Sequence, residues 1–191
     1  MLQESAAAGE IILKYLDESG CCLWSEVSYG YSLTGKQKYM EQTLCRYGSR
    51  ISILGIWEPD REFDYALAQK GFKSDSYLKV MAWQAQKAEQ SLKTTNRLTV
   101  LVQDNAPIHT SHKCQAQWQQ WQQQGLFLFQ LPKYSSEMNP IETEWHQLKT
   151  HEIAGRMFDN EHDLVLSIMD GMHSRAQQGQ YVLNRFQFNS G

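Results

Sequence analysis

The chain has 191 residues, 41% of them hydrophobic, which is enough to bury one sizeable core, and a single domain is the default at this length. Its formal net charge of -3 gives no basic footprint of a nucleic-acid binder. Acidic metal ligands lower such a sum and a local basic strip still tracks phosphates, so what composition excludes is a membrane span, for which no apolar run is long enough.

The head, MLQESAAAGE, is polar and lacks the regions of a secretory signal. IILKYLD (Ile11 to Asp17) predicts a first strand running into DESG, and CCLWSEV a second extended piece close behind it. Cys21, Cys22, Cys45 and Cys114 show neither paired disulfide spacing nor a CxxC knuckle, which predicts reduced thiols in a cytoplasmic protein. The glycine-punctuated stretch Gly30 to Gly48 reads as turn and loop. RISILGIWEP (Arg50 to Pro59) is the next strand, with EFDYALA as its pairing partner.

From Ser74 to Lys93 there are few breakers, and Tyr77, Val80, Met81 and Ala85 fall on one helical face. RLTVLVQD (Arg97 to Asp104) is a strongly apolar strand that stops on an aspartate, followed by the breakers Asn105 and Pro107. In CQAQWQQWQQQG, Cys114, Trp118 and Trp121 make the apolar stripe of a glutamine-rich helix, and Gly125 suits its stop. LFLFQLP is a short strand, NPIETEWHQLK opens a further helix, Asp159 to Gln177 is a last long one, and QYVLNRFQFNSG is the tail. Without a repeat or a splitting linker, this order predicts one α/β domain over 1–191. A mixed sheet of about five strands, an antiparallel meander flanked by parallel crossovers, carries helices on both faces.

Three acids stand out by position. Asp17 ends or lies within the first strand, on the side of Ile11, Leu13 and Tyr15; Asp104 ends the fourth; Glu142 falls in the first turn of the helix that Asn139 and Pro140 announce. Each has a plain structural explanation: a hairpin turn for Asp17, an Asx turn for Asp104, an Asn-x-x-Glu capping pattern for Glu142. Ile141, Trp145 and Leu148 form that helix's buried stripe. Glu142, His146 and Lys149 run beside it as a polar stripe, and Glu144 points elsewhere. Three convergent carboxylates have the oxygen donors that hard divalent cations require, and can hold two ions on either side of a phosphate.

LDESG, VQDNAPIHTS and LPKYSSEMNPIETEW, in this order, resemble the catalytic domain of DDE transposases, and specifically the bacterial insertion-sequence relatives of the Tc/mariner superfamily, the group called IS six-thirty. The likeness runs from about Ile11 to Lys149. It implies a ribonuclease H-like fold and a metal-dependent endonuclease and strand transferase acting on transposon ends in cut-and-paste transposition, in the bacterial cytoplasm at the nucleoid. It further implies Asp17, Asp104 and Glu142 as catalytic residues and ligands of two Mg²⁺ or Mn²⁺ ions. His109, which follows the Asp-Asn pair, takes a supporting or phosphate-side role, or is only a local hydrogen bonder. Asn105, Lys133, His146 and Lys149 are further candidates for supporting or DNA contacts, with Arg156 nearby. Lys133 and Ser136 stand where the family has prolines. The family's helix-turn-helix reader would precede the first strand, where only the polar head of residues 1–10 stands. The resemblance therefore implies DNA, both transposon ends and target, as partner, with an upstream helix-turn-helix polypeptide and a second copy as further candidates. The competing reading is a catalytically silent or domesticated remnant that binds DNA or protein.

Overall fold

The computed structural model describes residues 1–23, 49–132, 135 and 138–188. A short helix, α1 (Leu2–Ala7), leads into β1 (Ile11–Cys22), β2 (Arg50–Glu58) and β3 (Glu62–Gln69). Then follow α2 (Ser74–Thr95), β4 (Leu98–Gln103), α3 (His112–Gln123) and β5 (Leu126–Gln130). The chain finishes with α4 (Ile141–Gln147), a π-helical continuation (Leu148–Ile153), α5 (Glu161–Gly179) and β6 (Val182–Phe186). The strands make one six-stranded sheet in the order β5-β4-β1-β2-β3-β6. β1, β2 and β3 are the antiparallel meander, and β4, β5 and β6 join it in parallel.

Two cores lie back to back across this sheet. Leu16, Leu54, Ile56 and Leu101 pack against Tyr77, Val80, Met81 and Ala85 of α2 and against Cys114 and Trp121 of α3. Leu13, Tyr15, Ile53 and Phe63 pack on the opposite face against Ile141, Trp145 and Leu148, and against Leu164, Ile168 and Met172 of α5. α2 stops at Asn96 in the left-handed region (φ 57°), and α3 gives way to Gly125 at φ +82°. α5 is capped by Asn160, whose side chain accepts the Asp163 amide at 2.9 Å.

The structure corrects four expectations. The sheet has six strands rather than five: the tail supplies β6, an edge strand in which Asn184 and Arg185 interrupt the alternation that marks a strand in sequence. Cys21 and Cys22 are not a second extended piece but the end of β1, because pairing continues unbroken to Cys22 opposite Arg50 and overrides the turn propensity of DESG. At Gly20 a side chain would meet the Arg50 guanidinium at 2.1 Å, so glycine lets that arm lie across the strand. The polar head contains α1, whose Leu2 and Ala6 touch the core. Asn139 is not the cap of α4: the cap position is Pro140, without a side-chain bond. Residues 24–27 of the CCLWSEV piece, the loop from Gly30, Cys45, Lys133, Ser136 and Glu137 lie outside the described residues.

Candidate active site

Parallel pairing aligns Tyr15 of β1 with Val102 of β4, and two residues further on each strand delivers an aspartate, Asp17 from β1 and Asp104 from just past the end of β4. The start of α4 brings Glu142 to the same place. All three acids line one cleft of about 430 Å³, together with Asn105, Leu131, Ser135 and Asn139. Asp17 lies within β1 rather than at its tip, Asp104 lies just past the end of β4, and Glu142 at the start of α4 lines the same cleft.

The three acids have different surroundings. Asp17 is partly buried on the α4 side of the sheet, and one of its oxygens, Oδ2, accepts the Trp145 indole N–H at 2.9 Å. Burial, and after it the charge of Glu142, pushes its carboxyl up to about 7. Asp104 makes the Asx turn, accepting the Ala106 amide at 3.2 Å. Its Oδ1 also faces His109 Nδ1 at 2.7 Å, and this hydrogen bond holds the carboxyl below the usual carboxylate range. His109 is buried, with its ring against Tyr77 at 4.7 Å between centroids. Tyr77 in turn donates to Gln103 Oε1 at 2.7 Å, so the residue beside Asp104 is fixed as well. His109 is thus a local hydrogen bonder whose partner is one of the three acids of the cleft. Glu142 is exposed on the cleft wall.

The other candidates are less engaged. Asn105 lines the cleft. His146 and Lys149 are exposed along the polar face of α4 and its continuation. Arg156 is bound away to Ser167 Oγ at 3.0 Å. Glu144 does point elsewhere, but into a buried ion pair with Arg175 (3.1 Å) and a hydrogen bond from Tyr181 (3.1 Å). It is a structural acid, not an idle one.

Two residues that the sequence does not mark as site residues also touch β1 at Leu16 and Asp17. Trp145 belongs to the buried stripe, yet its indole N–H reaches Asp17. Asn139 donates from Nδ2 to the Leu16 carbonyl at 3.0 Å and so ties the entry of α4 to β1 beside Asp17. The signal for Trp145 was available: a buried indole N–H needs an acceptor, and the residue lies one turn from Glu142.

The donor set fits a hard cation, being all carboxylate oxygen with the charges of Asp17 and Glu142 close enough to repel. Among the described residues no three His, Cys, Asp or Glu side chains gather tightly enough to hold one ion together.

The mixed sheet, with its antiparallel meander, parallel flanks and helices on both faces, is a ribonuclease H-like fold. Residues 13–165 match the family described as DDE superfamily endonuclease, and the chain belongs to that family. Among solved structures it is similar to the Mos1 mariner paired end complex with Mn, at TM-score 0.66 and 13% identity over 94% of this chain and 56% of that one. It is similar to the Mos1 mariner paired end complex with Mg, at TM-score 0.65 and 15% identity over 88% and 53%. The catalytic domain of Mos1 mariner transposase gives TM-score 0.58 and 13% identity over 94% and 84%. At these identities the likeness is one of fold, and the chain spans about half the length of the chains in the two complexes. No curated protein sequence matches it. No described helix is long and apolar enough to cross a membrane.

Proposed function

We propose that this chain is the catalytic domain of a transposase, a divalent-metal-dependent DNA endonuclease and strand transferase whose active-site acids are Asp17, Asp104 and Glu142. The observation that carries the reading is that these three, from distant parts of the chain, line the same cleft of a DDE-family fold. The solved relatives with Mn or Mg and transposon ends support the choice of metal and of DNA as substrate. A pair of Mg²⁺ or Mn²⁺ ions would supply activation of the attacking oxygen and stabilisation of the leaving oxygen at a phosphodiester.

The chain's own residues do the positioning. Asp17 and Glu142 offer oxygens from a strand and a helix packed on each other. His109 holds one oxygen of Asp104, which leaves the other for the cleft. Asn105, which lines the cleft, would donate to a phosphate there, and Lys149 lies on the exposed face beyond Glu142. Lys133 and His146 complete the proposed DNA contacts, an upstream helix-turn-helix polypeptide supplies sequence recognition, and paired ends call for a second copy.

The test is nicking of supercoiled plasmid and of a duplex carrying the element's own end, with Mg²⁺ or Mn²⁺ against EDTA. The parental chain, supplied with its upstream domain in cis if inert alone, should cut only with metal. Asp17→Asn, Asp104→Asn and Glu142→Gln should each lose about three powers of ten or more, the loss expected when metal-borne transition-state stabilisation is removed. Cutting by any of the three at close to the parental rate would remove that residue from the site.

A further inference from the structure

We propose that Trp145 is a positioning residue for Asp17, held over it by the side-chain-free slot at Gly55, so that one carboxylate oxygen is committed to the indole and the carboxylate is fixed where it lines the cleft. The inference rests on the reading of Asp17 as an active-site acid.

Three observations converge on it. First, Gly55 of β2 lies directly opposite Asp17 in the β1–β2 register. A side chain there would come within 2.5 Å of two carbons of the Trp145 ring, a rigid ring that cannot fold aside as a flexible tip would. Gly55 has ordinary strand backbone, so it is the space and not the conformation that calls for glycine. Second, the ring is 2% exposed and packs edge-on to Phe63, with centroids 5.5 Å apart at 76°, so its N–H has one direction to point, and that direction is Asp17 Oδ2 at 2.9 Å. Third, Asn139, Glu142 and Trp145 recur every three residues at the start of α4. The outer two grip β1, Asn139 at the Leu16 carbonyl and Trp145 at the Asp17 carboxylate. Glu142 lies between them. Its distance from Asp17 is therefore set by two hydrogen bonds to adjacent residues of one strand, rather than by apolar packing alone, which tolerates sliding. Partners that orient a metal-ligating group typically matter about 10- to 100-fold in metal affinity or activity.

The experiment has two readouts on the full chain. In the metal-free protein labelled at its tryptophan indoles, the Trp145 N–H resonance is assigned by its disappearance in Trp145→Phe. It should move substantially upfield in Asp17→Asn, where an amide replaces the carboxylate acceptor. Second, Mn²⁺ is titrated while the melting temperature is followed. The half-saturating concentration should rise about 10-fold or more in Trp145→Phe, which keeps an aromatic ring against Phe63, and likewise in Gly55→Ala, which displaces the indole. A Trp145 resonance indifferent to Asp17→Asn overturns the inference; should Trp145→Phe fail to fold, the resonance is assigned instead by its through-space contacts to the Phe63 ring, and the readout still decides. So does a folded Trp145→Phe with parental half-saturation while Asp17→Asn binds weakly, an outcome that leaves the active-site reading standing. Parental half-saturation in Asp17→Asn itself overturns the reading and the inference with it.

Discussion

Two aspartates of the same cleft are driven in opposite directions by their surroundings. Asp17 is pushed up to about 7 by burial and by Glu142, from an ordinary 3.8, whereas Asp104 is lowered by its bond to His109. The raised group favours its protonated form when folded, so its contribution to metal-free stability is fully present below about pH 4 and is lost as pH rises toward 7. Asp104 works the other way, contributing above the carboxylate range and losing that contribution as pH falls. Denaturation in EDTA should therefore find Asp17→Asn more stable than the parental chain at pH 8. That advantage should shrink toward pH 5, with a difference on the order of 2 kcal/mol between the two pH values. Parallel stability curves would mean that Asp17 carries no such strain. Neither direction was legible in the sequence, because burial and the partners His109 and Trp145 are set by tertiary packing. What was legible is that these acids end or interrupt apolar strands.

At the scale of elements, strong periodicity was readable and edges were not. The helix from Ser74 was clear because Tyr77, Val80, Met81 and Ala85 repeat at helical spacing and all are buried. β6 was missed because an edge strand pairs on one side only and its residues answer to no clean alternation, and β1 was cut short because DESG has turn chemistry that a long antiparallel partner overrides. α4 illustrates the difference between a motif and its contacts. NPIE reads as a capped helix start, yet Asn139 reaches back to β1 and Glu144 is paired under the helix with Arg175 and Tyr181. Glu144→Gln keeps the shape but leaves the mostly buried Arg175 without its counter-charge. We expect a loss of about 2–3 kcal/mol in denaturant unfolding, at the lower side of the cost of breaking a buried pair because glutamine still accepts hydrogen bonds. The Mn²⁺ response of the folded fraction should be retained. An unchanged unfolding midpoint would show that the α4–α5 pair contributes nothing to stability.

For the whole molecule, an acidic chain with a net charge of -3, if it acts on DNA as proposed, would do so through local placement of charge rather than through its sum. If an upstream polypeptide supplies sequence recognition, as proposed, affinity of this chain alone should come from phosphates. It should then fall steeply between 50 and 200 mM salt, with little preference among sequences. Tight, salt-insensitive binding to a single sequence in a gel-shift titration would reveal a reader within the chain itself. The central proposal, that three acids delivered by two strands and a helix line one cleft that takes a pair of divalent ions, is tested most directly by diffraction from crystals soaked in Mn²⁺. Anomalous density should appear in the cleft, ligated by Asp17, Asp104 and Glu142 carboxylate oxygens and by water. An ordered cleft without anomalous density at millimolar Mn²⁺, or a manganese ion held by other residues, would contradict it.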